Sequence, residues 1–284
     1  MGSQDRVEQD EKDSISLMED ETNEAEKSGL SCINQLADTC KTPLQNYIES
    51  SENVTQQYMT NPSCYPIEGL TYIPNFLTKE EQIEIMRVVD SNPFSEFIHR
   101  RQQFYGPVYY HTSHDLDAIQ PPKGSEMHQG EKSWDIAQLQ WVVDKLQSFG
   151  VFPSSDGEDD EPWQILVNEY LNNDGIAVHF DDEKAFGKVI TSLSLLDPIY
   201  MILRKPKIPV KQCNDIVEET KIYLAPGSLL ILRDATRKEW KHGVTRARII
   251  TDPVTGDKIR RQEGYRRISL TVRHLLDGRK GYLK

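Results

Sequence analysis

The spacing of apolar and polar residues predicts a helix in the segment "LTKEEQIEIMRVVDS". Thr78 and Glu81 have the spacing of an N-terminal capping box, in which each side chain accepts a hydrogen bond from the other residue's main chain. Ile83, Met86 and Val89 recur at three-residue intervals, so we expect them to form the buried face of this helix.

A second segment, "SWDIAQLQWVVDKLQSFG", has the same helical period. Its apolar residues Ile136, Leu139, Val143 and Leu146 share one face, and Gly150 suits the position just past the C-terminus. Further along, the chain changes to short β-rich runs separated by Gly, Pro, Asn or Asp. These runs are "WQILVNEYL", "IAVHFD", "VITSLSLL", "IYMILRK", "VEETKIYLA", "GSLLILR" and "YRRISLTVRHL". Two helices followed by such strands predict an α+β fold, with the helices on one side of a β-sandwich or distorted barrel.

Residues 1–62 differ from the rest of the chain in composition. They are rich in Glu, Asp, Ser, Asn and Gln, with too few apolar residues to offset the entropy lost on ordering. We therefore expect a disordered acidic N-terminal tail over residues 1–62 and one folded domain over residues 63–284. Residues 1–27 contain ten acidic and three basic residues, whereas residues 238–284 contain thirteen basic and five acidic ones. The net charge of −12 therefore conceals a basic C-terminal part, which is either a binding surface or a solvated face.

Cysteine usage and hydropathy exclude several classes of protein. The four cysteines form no C-x-x-C pair and no dense framework, which argues against a zinc knuckle or a disulfide scaffold and fits a reducing compartment. The chain has no run of about 18 apolar residues and no apolar signal segment. Arg6 stands where an N-myristoylation signal needs Ser or Thr. We expect a monomeric intracellular protein, cytoplasmic or nuclear, without membrane attachment.

The stretch "NEYLNNDGIAVHFDD" contains a His-x-Asp pair, His179 and Asp181. Side chains two positions apart on a strand point to the same face, so these two would project into one space. His242, in "WKHGV", follows another predicted strand that would bring it alongside. Two imidazoles and one carboxylate on one face of an octahedron are the ligand set of non-haem Fe(II) oxygenases. By itself His-x-Asp is a weak motif, and a partly exposed histidine paired with an acid is the alternative.

The segment "RRISLTVR" has its polar residues on one face of a predicted strand. Alternation directs Arg267, Ser269 and Arg273 to the same side, and Asn168 and Tyr170 form a similar pair on "VNEYL". Two arginines suit a dicarboxylate, which they would bind by charge-assisted, often bidentate, hydrogen bonds. A small diacid with a keto group would place one carboxylate and the keto oxygen on the iron, and 2-oxoglutarate is such a molecule. The alternative for this polar face is exposure to solvent.

Taken together, these segments resemble the AlkB family of Fe(II)/2-oxoglutarate dioxygenases over roughly residues 70–275. The shared pieces, in family order, are "NEY", "GIAVHFDD", "SLSLL", "PGSLLIL", "HGV" and "RRISLTVR". The segments "HRRQQFYG" and "GIAVHFDDEKAF" are most similar to the branch that animals fuse to a tRNA methyltransferase and an RNA-recognition module. Neither fused domain occurs in this chain, so a separate methyltransferase is a candidate partner.

The resemblance implies a double-stranded β-helix, or jelly roll, with buttressing helices, and it implies Fe(II), 2-oxoglutarate and O2 as cofactor and co-substrates. The implied iron ligands are His179, Asp181 and His242. The residues implied for 2-oxoglutarate are Asn168, Tyr170, Arg267, Ser269 and Arg273. The chain departs from the family pattern at Leu196, where many members have glycine, and at Ser269, where the bacterial member has asparagine. We expect the first departure to alter the shape of the pocket.

Members of the family act on nucleobases, which must be extruded or single-stranded to reach buried iron. The stretch "FIHRRQQFYGPVYYH" interleaves arginines with aromatic rings, a pattern suited to phosphates and stacked bases, and it resembles the family's nucleotide-recognition lid in position. The alternative is a strand packed on the sheet with its arginines in water. The predicted substrate-binding residues are Arg100, Arg101, Phe104, Tyr105 and Glu183. The basic stretch "TGDKIRRQEGYRR" would be a second contact with the nucleic-acid backbone.

We therefore expect an AlkB-type dioxygenase that demethylates or hydroxylates a nucleobase, with RNA, and tRNA in particular, favoured over DNA. Two alternatives remain open. One is a demethylase or hydroxylase that acts on protein with the same scaffold. The other is a catalytically silent RNA-binding module.

Overall fold

The computed structural model describes four stretches of the chain, residues 41–51, 54–95, 101–107 and 133–276. The chain divides into two compact units, residues 1–47 and 48–284. Of the first unit only residues 41–47 are described, and of the predicted disordered tail, residues 1–40 and 52–53 lie outside the described residues. Within the described residues, no helix has the length and apolar character needed to span a membrane.

Five α-helices are described. They are α1 (Pro43–Ser50), α2 (Val54–Gln57), α3 (Lys79–Ser91), α4 (Gln140–Ser148) and α5 (Asp234–Glu239). Three short 3-10 helices cover Pro62–Cys64, Ile136–Leu139 and Ser154–Asp156. Helices α3 and α4 match the two helices predicted from the apolar spacing, with the start of the second predicted helix formed by the 3-10 turn that precedes α4.

In the described part of the chain, thirteen strands form two main sheets and one ribbon. The first six strands are β1 (Leu70–Ile73), β2 (Arg101–Tyr105), β3 (Ser133–Trp134), β4 (Trp163–Leu171), β5 (Ile176–His179) and β6 (Ile190–Leu196). The remaining strands are β7 (Ile199–Pro206), β8 (Ile216–Leu224), β9 (Leu229–Leu232), β10 (Lys241–Val244), β11 (Ile249–Thr251), β12 (Lys258–Arg260) and β13 (Arg266–His274). The larger sheet has the order β1-β9-β6-β13-β4-β2-β3, the smaller sheet the order β5-β10-β7-β8, and β11 pairs with β12.

The two main sheets of the second unit enclose the core. Buried residues of both sheets form one apolar cluster, which includes Tyr72, Leu203, Ile222 and Leu230. Helix α3 lies on the outer face of the larger sheet, where the Gln103 side chain of β2 donates to the carbonyl oxygen of Val89 at 2.8 Å. This is the predicted α+β jelly roll with buttressing helices, and the fold prediction is confirmed.

Helix α3 shows where the apolar spacing succeeded and where it failed. The capping box is present, because the Glu81 amide donates to the Thr78 hydroxyl at 3.2 Å and the Thr78 amide to the Glu81 carboxylate at 2.8 Å. The buried face, however, consists of Ile85, Val88 and Val89. Ile83 is 69% exposed, so its assignment to the buried face was wrong. Since Ile83 and Ile85 are separated by about 200° around a helix, either could start an apolar stripe that ends near Val89.

Residues 54–64 lie along strand β8, at the edge of the smaller sheet. The Tyr223 amide donates to the Tyr58 carbonyl and the Thr60 amide to the Lys221 carbonyl, both at 2.8 Å. The structure therefore differs from the predicted domain boundary at residue 63. Composition did not reveal that this segment is ordered, because main-chain groups form many of its hydrogen bonds to the edge strand β8, and these do not depend on the type of side chain.

An ion-pair network on the outer face of the larger sheet joins three strands and helix α3. Glu169 of β4 has only 1% of its side chain exposed and accepts hydrogen bonds from Arg101 and Arg266, each at 2.7 Å. Arg266 also donates to Asp90 of α3 at 2.7 Å. The network fastens the helix to the sheet behind the site described below.

Replacing Glu169 with alanine is expected to lower the free energy of unfolding by about 2 kcal/mol, because two charge-assisted hydrogen bonds are lost and both arginines remain partly exposed. Asp90→Asn is the matched control at the exposed end of the network and is expected to cost less than about 1 kcal/mol. Urea unfolding followed by circular dichroism measures both values. Equal stability of the Glu169 variant and the parent protein would contradict a structural role for this network.

Candidate metal and co-substrate site

Three potential metal ligands converge where strands β5 and β10 pair. His179 is the last residue of β5 and lies directly opposite His242 of β10, with 4.7 Å between the ring centroids. Nε2 of His242 is 3.3 Å from Oδ2 of Asp181. One ligand atom from each of the three residues lies within 4.8 Å of the others. A single metal ion placed among these three atoms would contact all of them.

The local geometry of this cluster differs from the predicted continuous strand. Strand β5 ends at His179, so Asp181 lies two residues beyond the strand and not on it. The side chains converge nonetheless, because β10 approaches β5 closely at Gly243. A Cβ atom on Gly243 would be 2.8 Å from the Ile176 carbonyl oxygen and 2.9 Å from the Val178 amide nitrogen. Any larger residue at this position would separate the two strands that hold the histidines.

The protonation states of the cluster suit a divalent metal. Burial lowers the pKa of His242 to about 4, so the imidazole is neutral at neutral pH and is able to bind a metal. Burial alone would raise the pKa of Asp181, but the positive charges of the neighbouring Arg273 and Arg237 help to lower it, and the carboxylate is ionised. Oδ2 of Asp181 is buried and has no hydrogen-bond partner among the described residues. Such an atom is costly unless a cation binds it.

A buried arginine with no acidic partner among the described residues lies at the other end of the site. Arg267 is 0% exposed, and its Nη2 donates to the Ser194 hydroxyl at 2.9 Å. Its Nε and Nη1 have no hydrogen-bond partner in the described part of the chain. The guanidinium carbon lies 5.1 Å from the centroid of the Tyr170 ring. A buried cation with free donors is stabilised by an anion, so this end of the site fits the carboxylate of a bound molecule.

The second predicted arginine has partners of its own. Arg273 donates twice to the Gln164 side-chain oxygen, at 3.0 and 2.8 Å, and lies 3.4 Å from Oδ1 of Asp181. Its guanidinium carbon is 3.3 Å from the centroid of the Phe186 ring. Of the two arginines expected to bind a dicarboxylate, Arg267 thus has unsatisfied donors, while Arg273 is held beside the metal cluster.

A cavity of about 100 Å³ connects the two ends of the site. It is lined by all eight residues predicted to bind metal or 2-oxoglutarate, namely His179, Asp181, His242, Asn168, Tyr170, Arg267, Ser269 and Arg273. Apolar side chains such as Leu166, Ile176, Met201 and Leu232 form much of the remaining wall. The polar face of β13 thus points into the interior of the fold and not into solvent.

The residues predicted to bind substrate are mostly elsewhere. Phe104 is 7% exposed and Tyr105 is 0% exposed, so neither ring is available to stack on a base, and their assignment was wrong. Tyr105 faces helix α3, where Asn92 donates to its hydroxyl at 3.1 Å. Arg101 is directed toward Glu169 on the outer face, away from the cavity. The packed-strand alternative therefore holds for β2, while Arg100 lies outside the described residues.

Glu183, the last of the predicted substrate-binding residues, does not lie on strand β5. Because the strand ends at His179, Glu183 falls in a turn, is exposed and does not line the cavity. Leu196 also lies outside the cavity, 41% exposed, so it does not alter the shape of the pocket. Its φ of +67° is a backbone conformation that favours glycine, the residue that the family resemblance implies at this position.

Two further residues contact the site and were missed. Gln102 of β2 lines the cavity and donates to the Asn168 side-chain oxygen at 2.6 Å. Arg237 of α5 is 4% exposed and donates to the main-chain oxygen of Asp181 at 3.2 Å. Alternation on β2 would have grouped Gln102 apart from Arg101 and Gln103, but no local pattern in the sequence indicates Arg237.

Comparison with known proteins identifies relatives of the chain. The family model described as the 2OG-Fe(II) oxygenase superfamily matches residues 69–273. The uncharacterized protein L905 of Acanthamoeba polyphaga mimivirus is 29% identical over 74% of this chain and 86% of the viral protein. The alkylated DNA repair protein ALKBH8 homolog of Arabidopsis thaliana is 28% identical over 73% of this chain and 58% of the plant protein.

A third relative extends well beyond the region of similarity. The tRNA (carboxymethyluridine(34)-5-O)-methyltransferase alkbh8 of Xenopus tropicalis is 25% identical over 77% of this chain, which spans only 31% of the frog protein. The similarity to the plant and frog proteins therefore concerns one part of each.

Proposed function

The chain belongs to the 2OG-Fe(II) oxygenase superfamily, and from that premise we propose that it oxidises a nucleobase in RNA, with tRNA as the preferred substrate. It is an AlkB-type dioxygenase, an oxidoreductase that uses Fe(II), 2-oxoglutarate and O2. The observation that supports this chemistry best is that one cavity holds both the His-Asp-His cluster and a buried arginine, two of whose donors have no hydrogen-bond partner among the described residues.

His179, Asp181 and His242 would hold Fe(II), and the residues around Arg267 would hold 2-oxoglutarate. When bound, Fe(II) and 2-oxoglutarate would supply O2-dependent oxidation of a substrate C–H bond, with 2-oxoglutarate converted to succinate and CO2. A hydroxylated carbon attached to nitrogen would be lost as formaldehyde, whereas one attached to carbon would remain as an alcohol.

The protein's own residues orient the reactants and exclude water. The unused donors of Arg267 would bind the distal carboxylate of 2-oxoglutarate, beside the Tyr170 ring and Ser269. Arg273 and Arg237 hold Asp181 from two sides, through its carboxylate and its main-chain oxygen. The apolar wall of the cavity lowers the local dielectric constant and strengthens each of these interactions.

Nucleic acid is favoured as the substrate by the names of the relatives, one of which acts on tRNA and another of which is named for alkylated DNA. RNA is preferred because a base must leave its stack to reach a buried site, and single-stranded loops of a folded RNA offer unstacked bases. The frog relative is named as a methyltransferase, which supports a methyltransferase as a partner of this oxygenase domain.

A turnover assay tests the proposal. Protein loaded with Fe(II) is incubated with 2-oxoglutarate and O2, alone or with total tRNA, single-stranded DNA or a methylated peptide mixture, and succinate is measured. We expect tRNA to increase succinate formation most. Stimulation by the peptides alone would favour protein as the substrate, and RNA binding without any succinate would favour the silent binding module.

A further inference from the structure

The hairpin formed by β11 and β12 has one buried and one exposed face. Ile250 and Ile259 are paired, and both contribute to the core cluster. The pairs on the other face are Ile249 with Arg260 and Thr251 with Lys258. Lys258 and Arg260 are both exposed. Because they are two positions apart on a strand, their side chains point the same way, about 7 Å apart.

The base of this hairpin is fixed to the segment that leads into strand β5. Arg261, 4% exposed, donates to the main-chain oxygen of Thr245 at 2.8 Å and to that of Asp174 at 2.6 Å. Arg246 lies across Gly175, where an added Cβ atom would be 2.7 Å from its Cγ. The hairpin is therefore held against the start of the strand that ends in His179.

The four exposed cations of this region outnumber the two acids of the hairpin loop. Arg246, Arg248, Lys258 and Arg260 are exposed, and none of them forms an ion pair within the described residues. The acids of the hairpin loop are engaged locally. Asp252 accepts from the amides of Val254 and Thr255, and Asp257 accepts from the Thr255 hydroxyl.

We propose that the hairpin of β11 and β12, through Lys258 and Arg260 and the neighbouring Arg246 and Arg248, binds the sugar-phosphate backbone of the nucleic acid beside the nucleotide that enters the cavity. The inference rests on the proposed function and extends it from the target base to the nucleotides on either side of that base. Unpaired surface cations bind phosphates with release of counterions, and same-face spacing on a strand is comparable with the distance between successive phosphates of an extended single strand.

A polyanionic strand fits this surface better than an anionic membrane does. The exposed face carries Ile249, 49% exposed, and Thr251, but no aromatic side chain that would insert at a lipid interface. The hairpin is also attached to the segment that leads into β5, the strand that carries His179 of the metal cluster. A nucleic acid bound to the hairpin would therefore lie on the same part of the molecule as the cavity that its target base enters. Binding to vesicles is a measurable alternative.

The test compares two double variants with the same loss of charge. Lys258→Gln with Arg260→Gln removes the two hairpin cations, and Lys79→Gln with Arg87→Gln removes a lysine and an arginine from helix α3 on the far side of the larger sheet. Fluorescence anisotropy gives the dissociation constant of a labelled single-stranded RNA over a range of KCl concentrations. We expect the hairpin variant to bind about 10-fold more weakly at about 0.1 M salt, with the slope of log K against log salt reduced by about 1.4, because two contacts to a single strand are removed.

The helix variant is expected to bind as the parent does, and both variants are expected to retain the parent's melting temperature and its succinate formation without nucleic acid. If the hairpin variant binds RNA with the parent's affinity and salt slope while tRNA still stimulates the parent enzyme, the hairpin inference is overturned and the proposed function stands. If the parent neither binds RNA or DNA nor responds to them in turnover, both are overturned. Hairpin-dependent binding to vesicles of anionic lipid, with no hairpin-dependent binding to RNA, would also overturn the inference.

Discussion

Replacement of Asp181 by asparagine is expected to abolish metal-dependent succinate formation and to weaken Fe(II) binding by at least about 100-fold. Substitution of residues that only support metal ligands weakens metal binding by up to about 100-fold, and loss of a ligand should cost at least as much. Asparagine keeps the size of the side chain but removes the negative charge of the cluster. Without that charge, no carboxylate of residue 181 would balance the positive charges of Arg273 and Arg237 beside the bound metal. Isothermal titration with Mn(II), a non-oxidising substitute for Fe(II), measures metal affinity independently of turnover.

The neighbouring acid provides the control. Asp182→Asn changes the same charge one residue further on and retains an oxygen that accepts from the Lys184 amide, a bond of 2.9 Å in the parent. We expect this variant to bind metal as the parent does. Metal affinity that is unchanged in the Asp181 variant, or lost equally in both variants, would count against the assignment of Asp181 as a ligand.

Arg267→Gln is expected to raise the KM for 2-oxoglutarate about 100-fold, since a buried charge-assisted contact is lost, while Mn(II) affinity is retained. The effect should also appear without catalysis. At a 2-oxoglutarate concentration 100 times its dissociation constant, binding stabilises the parent by about 2.7 kcal/mol, whereas a 100-fold weaker variant gains only about 0.4 kcal/mol. Thermal melts of the Mn(II)-loaded protein with and without 2-oxoglutarate measure this difference.

Arg266→Gln is the matched control for Arg267. It lies on the same strand but contacts Glu169 and Asp90 on the outer face. We expect it to lower stability without changing the KM for 2-oxoglutarate. If Arg267→Gln leaves that KM and the ligand-induced stabilisation unchanged, the free donors of Arg267 do not bind the co-substrate.

The metal cluster was accessible to sequence reasoning because two of its ligands are close in the chain. His179 and Asp181 share one short segment, and the chemistry of a third ligand restricted the search to the few histidines near predicted strands. The pairing of His242 with His179 is long-range, so pattern alone left it open, and the family resemblance supplied it. Arg237 could not be found in this way, because a buried arginine on a short helix has the same local pattern as an exposed one.

The substrate side was predicted poorly for a related reason. Alternation separates Gln102 and Phe104 from Arg101, Gln103 and Tyr105, but it does not say which set faces the interior of the fold. That depends on the pairing of β2 with β4, which aligns Gln102 with Asn168. The composition of "HRRQQFYG" suggested a surface for nucleic acid, yet its aromatic rings are packed within the protein.

The attachment of residues 54–64 to strand β8 affects how the acidic tail can be removed. Composition alone would place the cut at residue 63. A shortened protein that begins there would lose the contacts of Tyr58 and Thr60, and it would expose the amide of Tyr223 and the carbonyl of Lys221. An open strand of this kind recruits the matching strand of another molecule, and the resulting self-association would be mistaken for an effect of the lost negative charge. A cut before residue 54 removes the acidic residues at positions 1–27 and leaves the sheet closed.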